Sequence, residues 1–142
     1  MRKILVAIDG SENSLRALDF AVAQACLVPG TDLHVLTVQL PTSSYGALEF
    51  YAMEQKLREM AAAQAGAVLN SAGERLRQSG CRFELEQVEG EPASAIARRA
   101  AELGCESIIM GTHGRGQLGV LVMGSVAQRV VHHATVPVTL VK

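Results

Sequence analysis

Short apolar runs alternate with helix-length amphipathic stretches along the whole of this 142-residue chain. That alternation restricts the fold more than any other feature. Ile4-Leu5-Val6-Ala7-Ile8 is apolar without a break and ends at the turn pair Asp9-Gly10. A strand reads this way when both of its faces are buried, as in a parallel sheet covered by helices on each side. Parallel neighbours need crossover connections of helix length, and the sequence supplies them. Ser11 to Ser14 offers N-cap residues, Leu15, Leu18, Val22 and Ala25 recur on one helical face, and Pro29-Gly30 stops the helix. Leu33 to Val38 is the second strand, closed by Pro41.

Residues 41–48 read as a loop. A long helix follows, roughly Glu49 to Gln78, with Leu57, Ala61, Ala65, Val68, Ala72 and Leu76 on one stripe and Gly80 at its C-cap. Phe83 to Val88 alternates apolar and polar residues as a third strand. Glu91-Pro92 opens the next helix with Pro in its first turn, and Gly104 closes it. Ser107 to Met110 is strand four, Val126 to His133 a helical pattern, and Val136 to Val141 strand five. The sum is one α/β domain over residues 1–142, a three-layer sandwich around a mainly parallel five-stranded sheet.

Composition removes several function classes. The chain is 49% hydrophobic, enough for a core, and its formal net charge of -1 argues against a general nucleic-acid binder. Tyr45, Phe50 and Tyr51 share one segment and form no stacking series with Lys or Arg. Cys26, Cys81 and Cys105 are scattered, outside CxxC spacing, and read as free thiols of a reducing compartment. No apolar run has the roughly 20 residues of a membrane span, and Met1-Arg2-Lys3-Ile4 enters a strand pattern with no signal-peptide h-region. A cytoplasmic protein is the expectation.

The chemistry-bearing stretch lies near the C-terminus. Gly111-Thr112-His113-Gly114 is followed by nine residues and then Gly124-Ser125. The chain thus leaves strand four, makes a Gly-rich loop and enters a helix through Gly-Ser. Glycines let backbone N–H groups approach a ligand, and a helix start adds unpaired N–H groups and a positive dipole end. Those parts make a phosphate cradle; a surface loop with a Ser cap is the plainer alternative. No GxxxxGK[ST] element is present, which argues against a P-loop NTPase. Gly114-Arg115-Gly116-Gln117-Leu118-Gly119 matches GxGxxG literally, but no Asp or Glu follows Glu106 to meet a ribose, so it reads as a decoy. In open α/β sheets ligands bind beyond the carboxyl ends of the strands. Asp9, Val38, Glu89 and the Gly111 loop share that edge. Pro137 suits an edge strand or a strand start, and the apolar fifth strand, with Val136, Val138 and Leu140, invites pairing with a second copy.

Five elements together resemble the universal stress protein family. They are Val6-Ala7-Ile8-Asp9-Gly10-Ser11, Gly90-Glu91-Pro92, Ile109 to Gly116, Gly124-Ser125-Val126-Ala127, and Val136-Pro137-Val138. The resemblance spans essentially the whole chain, and the Gly-x2-Gly-x9-Gly-Ser element is the mark of that family's ATP-binding branch. It implies a five-stranded parallel sheet of order 3-2-1-4-5, related to adenine nucleotide alpha hydrolases, and a homodimer through strand 136–141. It also implies site roles. Asp9 would face the ribose or a phosphate-bound Mg²⁺, and the backbone of Val38 the adenine. Met110 and Gly111 would line the adenine and ribose side, while Gly114, Gly124, Ser125 and Val126 would hold the phosphates.

Arg115 is the one Lys or Arg between Gly111 and Ser125, and either offsets triphosphate charge or is a solvated surface residue. His113 reads as structural or ligand-orienting, since no positioned catalytic partner accompanies it in sequence. No activated nucleophile or arginine clamp is evident. The expected function is an ATP-binding regulatory protein of the stress response, with at most slow hydrolysis. The alternatives are a nucleotide-alpha-hydrolase-type enzyme, whose SGGxDS-like loop is replaced here by Asp9-Gly10-Ser11-Glu12-Asn13-Ser14, and an interaction module with a vestigial nucleotide site. The sequence names no protein partner.

Overall fold

The computed structural model describes residues 1–42, 48–113 and 123–142. Its described residues form β1 (Arg2–Ala7), α1 (Glu12–Leu27), β2 (Thr31–Gln39), α2 (Leu48–Ser79), β3 (Arg82–Glu89), α3 (Pro92–Glu102), β4 (Ser107–Gly111), α4 (Ser125–His133) and β5 (Val138–Val141). The strands build one parallel sheet in the order β3-β2-β1-β4-β5. This is the order that the family resemblance implied. Ala7, the last residue of β1, pairs with Leu36 on one side and Met110 on the other. The carboxyl ends of the three central strands therefore reach one edge.

The unbroken apolar run of β1 has a direct structural cause. Ile4, Val6 and Ile8 face one layer, where they pack with Leu33, Val35 and Ile109 under Ala17, Leu18 and Ala21 of α1 and Leu69, Ala72 and Leu76 of α2. Leu5 and Ala7 face the other, with Leu36, Ile108 and Met110 under Ala93, Ile96 and Ala100 of α3 and Ala127 and Val130 of α4. On α1 the face that goes under is carried by Ala17 and Ala21 as much as by Leu18, while Leu15 and Val22 are only half-buried. Small residues there let the helix lie close to the sheet.

Among the buried polar residues, His34 anchors a charged cluster. His34 of β2 is buried, with Nε2 2.6 Å from Glu86 Oε2 and Nδ1 3.3 Å from Glu84 Oε2. Arg99 of α3 donates to Glu86 as well, at 3.1 and 2.8 Å, and to Glu102 at 2.7 Å. The cluster fastens α3 to β2 and β3. Partial burial alone would push the Glu86 carboxyl up, but hydrogen bonds from His34 and Arg99 outweigh it and hold the carboxyl below its ordinary value.

Three sequence expectations need correction. Leu57 does not belong to the buried stripe of α2; it is half exposed, at 51%. The reason is length. A helix of 32 residues runs about 48 Å, whereas the eight-residue β3 runs about 26 Å. The sheet covers α2 from about Ala65 onward and leaves Tyr51, Met53, Leu57 and Met60 exposed. Strand five starts at Val138 and not Val136. Pro137 has no N–H to donate, and its carbonyl accepts from Ile108 N at 2.9 Å as the ladder begins. Part of the loop expected at residues 41–48 lies outside the described residues, and Leu48 already belongs to α2.

Two outcomes follow for stability. Ile108→Ala removes a fully buried side chain from the central sheet and should cost about 2–5 kcal/mol in urea denaturation. Because the folded-state pKa of Glu86 is lowered, its contribution is complete above the unfolded carboxyl value of about 4.3 and is lost as pH falls through the folded value. Glu86→Gln should therefore lower the urea midpoint at neutral pH and shrink its fall between about pH 5 and pH 3.

Candidate functional site

The carboxyl edge of the sheet opens into a cleft of about 450 Å³. Three chain segments shape it. The first is the turn after β1, where Gly10 takes a φ of 84°, a left-handed conformation that glycine tolerates without strain. Asp9 Oδ1 accepts from Ser11 N at 2.9 Å, and Asp9 N donates to Ser14 Oγ at 3.3 Å. Ser11 in turn caps α1, its Oγ accepting from Ser14 N at 3.2 Å. These bonds hold the Asp9 carboxylate in the cleft wall, half-buried.

The second segment is the end of β4. Met110, Gly111, Thr112 and His113 all line the cleft. A Cβ on Gly111 would stand 2.9 Å from Asn13 Cβ, 3.0 Å from Asn13 C and 3.1 Å from Ser14 N. Glycine is required here by the first turn of α1. The expectation that Gly111 is small to admit a ligand is thus only half the account: its side-chain position faces α1, while the residue still contributes to the cleft wall.

Thr112, His113 and Asn13 form a hydrogen-bonded cluster beside the cleft. Arg16, which can only donate, bonds Asn13 Oδ1. That contact fixes the Asn13 amide, so its Nδ2 is the atom 3.1 Å from His113 Nδ1. Asn13 Nδ2 also donates to Thr112 Oγ1, at 3.4 Å. Thr112 Oγ1 lies 2.9 Å from His113 Nδ1. His113 thus has a partner, Asn13, that spacing alone did not reveal.

The third segment is the start of α4. Gly124 N donates to Thr112 O at 2.6 Å, so the helix start is tied to the end of β4. Gly124 is the N-cap residue, with φ -61° and ψ 156°, and no side chain caps the helix. The other described caps differ. Ser11 caps α1, and Glu91 caps α3 by accepting from Ala93 N at 3.3 Å and Ser94 N at 2.7 Å. Those backbone bonds, with Arg129 at 2.7 Å, hold the Glu91 carboxyl below its ordinary range. At α4 the first-turn N–H groups and the positive dipole end face the cleft without a side-chain acceptor from the N-cap, an arrangement suited to an anion.

Of the residues expected at the site, Asp9, Val38, Met110, Gly111, Gly124, Ser125 and Val126 line this one cleft. Gly114 and Arg115 lie outside the described residues. Sequence reasoning missed the apolar part of the lining, made by Leu36, Leu40, Pro92 and Ile96. Pro92 and Ile96, one helical turn apart on α3, were the available signal. A cleft lined by both apolar side chains and an uncapped helix start fits a ligand with an apolar part and an anionic part. Among the described residues no group of three or more His, Cys, Asp or Glu side chains is placed to hold a metal ion, and no helix is long and apolar enough to cross a membrane.

The universal stress protein family model matches residues 1–142. The chain belongs to the universal stress protein family. It is 33% identical to universal stress protein YxiE of Bacillus subtilis (strain 168), over 99% of this chain and 98% of that one. The fold is similar to the universal stress protein of Archaeoglobus fulgidus solved in complex with dAMP, at 26% identity and a TM-score of 0.74, covering 100% of this chain and 98% of that one. It is likewise similar to a universal stress protein solved in complex with cAMP, at 26% identity and a TM-score of 0.73, covering 99% and 97%. Family members thus bind adenine nucleotides.

Gly111→Ala should be destabilising by about 1–3 kcal/mol, because Asn13 C and Ser14 N are backbone atoms and α1 must shift as a unit to make room. Thermal and urea unfolding of the variant measure it. An unchanged midpoint would mean that α1 yields without cost.

Proposed function

We propose that this protein binds an adenine nucleotide in the cleft, ATP with Mg²⁺ foremost, and that occupancy regulates its stress-response role. The observation that carries the reading is one cleft lined together by the uncapped start of α4, by the apolar residues Leu36, Leu40, Pro92 and Ile96, and by Asp9. In this reading the adenine lies against Val38, Leu40 and Ile96, with Met110 and Gly111 on the ribose side. The phosphates meet the N–H groups of Ser125 and Val126 and the Ser125 hydroxyl. Gly114 and Arg115 would serve the outer phosphates.

Asp9 suits the ribose hydroxyls or a Mg²⁺ ion. Mg²⁺ commonly takes one or two carboxylates plus substrate phosphates and keeps several waters. One half-buried carboxylate beside an anion site fits that donor set, and the ion would offset phosphate charge. Hydrolysis is proposed to be slow at most. A turnover of about 1 s⁻¹ or more without a partner would contradict the regulatory role. We also propose a homodimer through the 136–141 segment, since its β5 (Val138–Val141) is an edge strand whose apolar residues are half-buried.

Calorimetric titration of nucleotide-stripped protein with Mg-ATP, AMP and cAMP tests the reading. Mg-ATP should bind at micromolar affinity. Gly124→Val should abolish binding; because Gly124 is buried and valine is a poor N-cap, the unfolding midpoint is measured alongside, and Ser125→Ala at an exposed position tests the same site without that burden. Ser125→Ala should weaken binding about tenfold, the value of one hydrogen bond to a charged group. AMP or cAMP binding without ATP binding would reassign the site to monophosphates. Binding of none would leave the cleft as scaffold.

A further inference from the structure

Two of the three thiols, none of which lines the cleft, are placed to react with each other. Cys26 Sγ and Cys81 Sγ are 3.6 Å apart, although 55 positions separate them in sequence. Cys26 is exposed on the last turn of α1. Cys81 is half-buried between the end of α2 and the start of β3, with its sulfur 3.9 Å from the Val22 carbonyl one turn below Cys26. We propose that this pair is an oxidation site, at which a peroxide drives formation of a reversible intramolecular disulfide between Cys26 and Cys81.

A disulfide needs the sulfurs about 2.05 Å apart, so the pair must close by about 1.5 Å. Neither cysteine is locked in the middle of an element. Cys26 is next to the final residue of α1, and Cys81 is preceded by Gly80 at a φ of 73°. Element ends of this kind absorb such a closure by rotation about χ1 and a small backbone adjustment. The sequence separation matters too, because a cross-link over so long a loop restricts the unfolded chain strongly.

The chemistry balances with the peroxide as oxidant. The Cys26 sulfur attacks one peroxide oxygen and the O–O bond breaks. Cys26 becomes a sulfenic acid, and the departing oxygen leaves as water with the thiol proton. The Cys81 sulfur then attacks the sulfenic sulfur, the S–S bond forms, the S–O bond breaks, and a second water departs with the Cys81 proton. Two thiols lose two electrons, and one peroxide becomes two waters. The hydrogen bond to Cys81 holds the Cys26 thiol above its ordinary pKa, which slows the first step. Contact between the sulfurs makes the second step fast, so the sulfenic acid does not accumulate. Cys105 is an internal control, since it is buried and its thiol is pushed up by that burial.

The site is at the amino end of the sheet, where β3 begins, away from the carboxyl-edge cleft. The staple therefore acts on stability independently of nucleotide. The full-length reduced protein is treated with hydrogen peroxide, alkylated, and mapped by mass spectrometry without reduction. The expected product is a linked Cys26–Cys81 peptide pair with Cys105 alkylated. The melting temperature should rise by several degrees and return on adding dithiothreitol. Cys81→Ser should accumulate a Cys26 sulfenic acid that dimedone traps, and should show no such rise. Both thiols remaining open to alkylation, separate over-oxidation of each, or disulfides formed only between chains would each overturn the proposal.

Discussion

Burial of β1 on both faces is the constraint from which the remaining architecture follows. A strand with Ile4, Val6 and Ile8 on one side and Leu5 and Ala7 on the other has no surface for water. It must be central, with a helical layer above and below. Each parallel neighbour then requires a crossover helix, and the right-handed sense of such crossovers sends the chain outward on one side through β2 and β3 and on the other through β4 and β5. The reversal of direction lies between β1 and β4. There the connections leave on opposite faces, and a crevice opens at the carboxyl edge.

That crevice acquires its chemistry from a difference in how helix starts are satisfied. Two of the helices meet their first-turn N–H groups with their own side chains, Ser11 at α1 and Glu91 at α3. Of the three helices whose N-caps are described, only α4 begins at a glycine with no side-chain cap. The same glycine is bonded to Thr112 O, so the open helix start is held against the end of β4. A capping side chain at position 124 would place an oxygen where an anion is proposed. Stability at the α4 terminus and capacity to bind an anion there compete for the same donors.

Much of this was readable in order along the chain. The strand and helix sequence, the sheet order implied by family resemblance, a cap among Ser11 to Ser14, Pro92 at a helix start and the shared edge of Asp9, Val38 and Gly111 all follow from apolar period, turn residues and motif. The misses have local physical causes. The stripe through Leu57 extended a correct helical period into a stretch that no strand is long enough to cover. Gly111 was read for its effect on a ligand, whereas its missing Cβ makes room for Asn13 and Ser14. That contact joins residues about 100 positions apart, as do the bonds from Asn13 to Thr112 and His113. No periodicity reports such pairs.

The sequence by itself determined the layers, the strand at the centre and the edge at which a ligand would sit, because burial pattern and turn chemistry are local and repeat along the chain. Tertiary structure alone decided which groups face each other across that edge. It set the Asn13 amide against His113, left α4 uncapped in a cleft that Leu40 and Ile96 also line, placed Arg99 on Glu86 and brought the sulfurs of Cys26 and Cys81 into contact. Those are meetings between elements far apart in sequence. They depend on how closely helices approach the sheet and where each element stops, and distances of that kind are fixed only when the whole core packs.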